Sequence, residues 1–312
     1  MRPGFKIAAI LLLFAFATPL LVGCGGEQTL SHLTKDELFA LGKQKLDNKK
    51  HLAAIQAFQT LVYTYPGEPI VDTAQYYLAL SYYGNKDHQL AEAEFNRLIV
   101  NYPASPYATQ AQFMRAVAAY ESTPGHFGLD QTDVEAAIKQ FEEFIIDHPE
   151  SELVADANKY LEVARERLAK KTYMSGLTYA RMGASRSAKV YYQKVIDEYT
   201  SSEFAPLASF NYAQEEMHQH NFDEARRLFD NFTTVFGQHK LAPEAKAKAI
   251  EAAFKSAMAA YEKKDYPAAA AKFAAFKKDF PSDERVKKAD EYIARIGAVG
   301  AQPNPQANAE SK

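Results

Sequence analysis

Apolar positions recur along this chain as one triplet, Ala54, Phe58 and Leu61, separated by four and three residues and followed by Pro66. The same spacing returns at Ala91, Phe95, Leu98 and Pro103, and at Ala137, Phe141, Phe144 and Pro149. It returns with a substitute in the proline place at Ala188, Tyr192, Val195 and Thr200, and at Ala225, Phe229, Phe232 and Gly237. A last copy reads Ala269, Phe273, Phe276 and Pro281. Separations of four and three place all three side chains on one face of an α-helix. Proline just beyond that face cannot continue the helix and sets the turn into the next one. Twelve residues before the alanine stands a small residue, Gly42, Ala79, Gly176, Ala213 or Ala257; in the third copy it is Ala116, nine residues further off. A small residue there lets a second helix pack closely against the first.

The pattern predicts six helix pairs, the first over about 36–48 and 51–64. Helix-turn-helix units of about 34 residues are the signature of the tetratricopeptide repeat. The fold class expected is therefore all-α, a tetratricopeptide-repeat solenoid of about six helix pairs. Its units fall at about 35–68, 72–105, 109–150, 151–201, 206–238 and 243–298. Each pair has apolar surface that only its neighbours can cover, so the triplets are expected to form one continuous core. Two interruptions break the regularity. Ser122 to Asp130, rich in Pro and Gly, reads as a loop inside the third unit, and an unbroken helical pattern from about Glu152 to Tyr179 predicts a rod shared by the third and fourth units.

The N-terminus has a different pattern. Arg2 and Lys6 precede an apolar run from Ile7 to Val22, interrupted at Thr18 and Pro19, which reads as a secretory signal over 1–23. A spanning helix needs about 20 apolar residues, so this run is a poor one. It ends in Leu21-Val22-Gly23-Cys24, which resembles the bacterial lipoprotein box, whose cysteine carries a diacylglyceryl group and becomes the acylated first residue. Cys24 is the one cysteine in the sequence, so lipidation there removes disulfide and thiol chemistry together. Gly25, where retained lipoproteins have Asp, implies by the same resemblance sorting to the outer membrane. Residues 24–34 read as a lipidated tether and 299–312, rich in Ala, Pro, Asn and Gln, as a disordered tail.

Composition narrows the function. The formal charge of −3 becomes −5 once Arg2 and Lys6 leave with the signal, which gives no reason to expect nucleic acid as a partner. The sequence has no phosphate-binding loop, no dinucleotide glycine fingerprint and no serine elbow. His218 and His220, two apart on a helix, point away from each other and make a poor metal pair. The expectation is a protein-binding module with no enzymatic activity, no cofactor, no metal and no small-molecule substrate.

Two surfaces are candidates. The residue three before each small position is aromatic in all six units: Phe39, Tyr76, Phe113, Tyr173, Phe210 and Phe254. With Leu80, Tyr83 and Tyr120, the first three units form a stripe suited to an extended or helical peptide. The competing expectation is that these rings pack between adjacent first helices. The second candidate is basic: Arg165, Arg167, Lys170 and Lys171, followed by Arg181, Arg186 and Lys189, form either a solvated face or a docking surface for an acidic partner domain.

Beyond the repeat, several stretches are similar to the outer-membrane protein assembly factor BamD family. They are the lipobox and Leu38-Phe-Ala-Leu-Gly-Lys-Gln-Lys-Leu46; Phe127-Gly128-x-Asp130 leading into Ala137-x3-Phe141 and His148-Pro149; Arg165-x-Arg167-Leu168-Ala169-Lys170; and Tyr179-x-Arg181. The resemblance covers about residues 24–236, and the chain adds a sixth unit to the five usual in that family. It implies a lipid-anchored scaffold on the periplasmic face of the outer membrane, within the machinery that assembles β-barrels. Phe39, Tyr76, Tyr83 and Phe113 would then meet unfolded outer-membrane proteins, and Arg181 with its neighbours Arg186 and Lys189 would dock the barrel subunit BamA. A different periplasmic tetratricopeptide lipoprotein, serving pilus assembly or cell-wall and division machinery, would share fold and anchor.

Overall fold

The computed structural model describes residues 30–126 and 128–300. The signal over 1–23, Cys24, Phe127 and residues 301–312 of the expected tail lie outside the described residues. Among the described residues there are thirteen α-helices and no strand. Six pairs follow one another: α1 (Lys35–Asp47) with α2 (His51–Thr64), α3 (Val71–Gly84) with α4 (His88–Asn101), and α5 (Ala108–Glu121) with α6 (Thr132–Asp147). Then come α7 (Val154–Arg181) with α8 (Ser185–Glu198), α9 (Phe204–His218) with α10 (Phe222–Val235), and α11 (Ala242–Glu262) with α12 (Tyr266–Asp279). A closing helix, α13, spans Val286–Gly300. Each helix packs chiefly on the one before and the one after it, the quasi-one-dimensional arrangement of a repeat solenoid.

The triplets explain the stack. All eighteen of their side chains are interior, none more than 2% exposed. Each buried ring contributes about 1.5–3 kcal/mol relative to a solvated one. The small position faces that ring: a Cβ added to Gly42 would stand 2.6 Å from Phe58. Polar ties supplement the packing. Gln75 on α3 donates to the buried Glu94 carboxylate on α4 at 2.6 Å, and Arg97 holds the same carboxylate at 2.9 Å.

Turn chemistry is shared by five of the six pairs. Lys49, Lys86, Gly183, His220 and Lys264 have φ of 57, 66, 74, 61 and 60°, the left-handed conformation that ends a helix. The next residue's N–H then bonds back five residues, as Lys50 does to the Lys45 carbonyl at 2.8 Å. The third pair has the expected loop instead. There the buried Gln131 amide donates to the carbonyls of His126, Leu129 and Asp130 and gathers the loop around itself.

The expected rod is present as α7, 28 residues long. Its first half contributes Ala157 and Leu161 to the core of the third pair, and its second half contributes Ala169 and Tyr173 to that of the fourth. The ends differ from expectation. Residues 30–34, expected as tether, are fastened to the stack. Leu30 and Leu33 pack on the first core cluster, Tyr65 donates its hydroxyl to the Leu33 carbonyl at 3.1 Å, and Thr34 caps α1 in a box with Glu37. At the other end α13 extends to Gly300, two residues into the expected tail. It lays Val286, Ala289, Tyr292, Ile293 and Ile296 on the last pair and turns Lys287 and Lys288 outward, the polar cap a stack of repeats requires.

Candidate protein-binding surfaces

The aromatic position of the first helices faces into the stack. Tyr76 is 3% and Phe113 8% exposed. Tyr76 stacks on Tyr107 at 4.6 Å and meets Phe95 at 5.9 Å; Phe113 meets Phe141 and Phe144 at 6.3 and 5.6 Å. Tyr173, Phe210 and Phe254 are buried in the same way. This corrects the reading of Tyr76 and Phe113 as groove rings: each fills the space between its own pair and the next helix, and no ring face is left for a ligand. Phe39 is only partly buried, edge-on to Phe58 and Tyr77 at 5.9 and 5.8 Å, because no earlier pair covers α1.

Leu80, Tyr83 and Tyr120 are partly buried and stay accessible. Tyr83 lies edge-on to His88 at 5.2 Å, and Tyr120 edge-on to Tyr160 at 5.8 Å with the Arg167 guanidinium 6.0 Å above its ring. Tyr83, Tyr120 and Tyr160 pack on the core cluster of the third pair, and Tyr83 also packs on that of the second, where Leu80 lies. Burial pushes the phenols of Tyr83 and Tyr160 up, so both remain neutral hydroxyls. The structure thus brings Tyr83 and Tyr120 together and adds Tyr160, which the sequence reading missed. Tyr160 lies in the first half of α7, which has no triplet of its own; the signal for it was the excess length of the rod.

The basic residues divide. Arg181, in the last turn of α7, and Arg186, at the start of α8, are exposed on either side of Met182, itself 71% exposed. Neither guanidinium makes an ion pair among the described residues. Lys189 is used within the fold: its ammonium bonds Glu216 at 2.6 Å and Gln219 at 2.7 Å, tying α8 to α9. This corrects its reading as a docking cation, because its charge is already neutralised by a carboxylate only 6% exposed. Upstream, Arg165 pairs with Glu142 at 2.6 Å and Arg167 donates to Thr123 at 2.9 Å, so the first half of α7 offers no continuous basic face.

Among the described residues no helix is long and apolar enough to cross a membrane. No curated protein matches the chain. Solved structures similar to it include the TPR2AB domain of yeast Sti1 in a complex with pHSP90, at 15% identity over 84% of this chain and 98% of that one, with a TM-score of 0.39. The TPR domain of P58(IPK) is 13% identical over 86% of this chain and 67% of that one, TM-score 0.36. The pilF protein of Pseudomonas aeruginosa is 16% identical over 82% and 96%, TM-score 0.28. A tetratricopeptide-repeat model matches residues 213–284, and a model described as YfiO, outer membrane lipoprotein, matches residues 31–210. Repeat scaffolds of both kinds are protein-interaction modules, and with more than half of its 312 residues matched the chain belongs to the YfiO family of outer membrane lipoproteins.

Proposed function

We propose that the protein is a scaffold subunit of the β-barrel assembly machinery, anchored through a lipid on Cys24 to the periplasmic face of the outer membrane. It holds segments of unfolded outer-membrane proteins on its first three pairs and docks the barrel subunit BamA at the turn between α7 and α8. The family match over residues 31–210 carries this reading. The accessible Leu80, Tyr83 and Tyr120, with Phe39 at the open end, supply a surface of rings and methyls. Barrel strands, with alternating apolar side chains and aromatic girdles, are complementary to it. Arg181 and Arg186 flank Met182 as two cations around an apolar knob, an arrangement suited to an acidic, partly apolar partner face.

Purification of the tagged full chain from detergent-solubilised membranes tests the proposal. The barrel subunit should co-purify, and Cys24→Ser should abolish fatty-acid incorporation. Recovery of secretin or cell-division partners in place of the barrel subunit would overturn it.

A further inference from the structure

A cavity of about 1090 Å³ opens where α7 passes from the third pair to the fourth. Its walls are the end of α5 with the following loop, the first half of α7, and the turn between α8 and α9. Its size is at the upper end of pockets that enclose small ligands and suits a short stretch of polypeptide. Tyr120, Leu161 and Phe204 supply an apolar floor.

Two kinds of polar group are left without partners around that floor. On the donor side, Arg167 gives Nη1 to Thr123, while its Nε and Nη2 are buried and unpaired. Ser202 is 8% exposed, and its buried hydroxyl also has no partner. A buried donor left unmet is unfavourable, and an incoming carbonyl oxygen removes that cost. On the acceptor side, Glu121, Glu162, Glu166 and Glu203 line the cleft, and none forms an ion pair among the described residues. Arg165 and Glu198, also on the rim, are neutralised elsewhere, by Glu142 and Lys194. Arg167 and Lys170 line the cleft as well, so its acidic groups outnumber its basic ones. Glu166 accepts the Glu203 backbone N–H at 3.2 Å; burial, and then the Glu203 charge, push its carboxyl up. A half-buried carboxylate that feels a second one, with no ion pair to either among the described residues, favours an incoming cation.

We propose that this cleft takes an extended segment of another polypeptide that carries Lys or Arg beside an apolar residue. Main-chain carbonyls of the segment meet Arg167 and Ser202, its basic side chain lies by Glu166, Glu203 and Glu162, and its apolar neighbour rests on Tyr120, Leu161 and Phe204. The inference rests on the reading that the array holds unfolded protein segments, and it gives that role a second place with its own charge selectivity.

The test uses the full lipidated chain in detergent and three labelled, unstructured peptides with a Phe-x-Phe centre, where x is Lys, Gln or Glu. Fluorescence anisotropy should show the Lys peptide binding about fivefold more tightly than the Glu peptide. The double variant Glu166→Gln with Glu203→Gln, in which the new amide oxygen at position 166 can still accept the backbone bond, should erase that preference. Glu162→Gln, a change at an exposed position, should reduce it in part with melting unchanged. Equal binding of the three peptides, tighter binding of the Glu peptide, or a preference that survives the double variant would overturn the cleft. Should Leu80→Ala with Tyr83→Ala abolish binding while the cleft variants leave it intact, the cleft fails and the scaffold reading stands. If no peptide binds the unaltered chain, both fail together.

Discussion

Tyr76 stacks on Tyr107 with ring centroids 4.6 Å apart and planes 18° from parallel, which joins α3 to the residue just before α5. The contact crosses from the second pair to the third, so Tyr76 acts as a spacer of the stack. Burial pushes its phenol far above the ordinary tyrosine range. Tyr83, seven residues on, keeps part of its ring in solvent. The two should therefore separate on truncation. Tyr76→Ala is expected to cost about 3–5 kcal/mol, and Tyr83→Ala no more than about 1–2 kcal/mol for its half-buried ring. Urea unfolding followed by far-ultraviolet circular dichroism measures both. Capture of an unfolded outer-membrane protein should fall with Tyr83→Ala; equal destabilisation by the two changes would remove Tyr83 from the accessible surface.

A close approach between α7 and α8 sets the second prediction. A Cβ on Gly176 would lie 2.6 Å from one ring carbon of Tyr192 and 2.8 Å from another, and Tyr192 is buried with nowhere to retreat. In an open helix Gly→Ala stabilises by about 1 kcal/mol. Here overpacking should win, and Gly176→Ala should destabilise by about 1–3 kcal/mol. The sign of the change in melting temperature decides between the two effects. A Cβ on Gly42 in the first pair would meet Phe58 at the same 2.6 Å, whereas Ala79, Ala213 and Ala257 accommodate a Cβ at this repeat position, so the restriction belongs to the two pairs that carry glycine there.

Left-handed turn residues give a prediction of opposite sign. Lys264 has φ 60°, where a Cβ crowds the following carbonyl at a cost of about 1–2 kcal/mol. Gly183 holds the equivalent place in the fourth pair with φ 74° and no such strain. Lys264→Gly should raise stability by about 1 kcal/mol, and Gly183→Ala should lower it by a similar amount. The urea midpoint should move and its slope stay the same, because neither change alters the surface buried on folding.

The triplets made most of the fold legible. A helix face written as Ala, aromatic and apolar at separations of four and three has one way to be covered, and all six copies are. The rod was legible because nothing between Glu152 and Tyr179 breaks a helix. The sites were harder to read, for a physical reason. Periodicity says that Tyr76, Tyr83 and Phe113 share a side of the first helices, but not how close the next helix stands. That distance decides which rings are core. Lys189 carried no sequence sign of its partner, since Glu216 is 27 residues away on another helix. Ser202 and Arg167 meet at one cleft only because α7 spans two pairs.

The last prediction concerns that same lysine and the two arginines near it. Lys189 bonds Glu216 and Gln219, while Asn221 donates to the other Glu216 oxygen at 2.7 Å. Lys189→Met removes the cation and leaves a carboxylate in a site only 6% exposed, which should cost about 2–3 kcal/mol. Among the described residues Arg181 and Arg186 form no ion pair. Arg181 lies at the C-terminal end of α7, where a cation complements the helix dipole, so reversing its charge costs at most about 1 kcal/mol. The double variant Arg181→Glu with Arg186→Glu should therefore melt close to the unaltered chain. Its association with the barrel subunit should weaken, chiefly through a slower on-rate and a reduced dependence on salt. Lys189→Met should show the reverse, with stability lost and association retained below its lowered melting temperature. An unchanged on-rate in the arginine double variant would move the docking surface away from this turn, and lost association in Lys189→Met at full helicity would return the lysine to it.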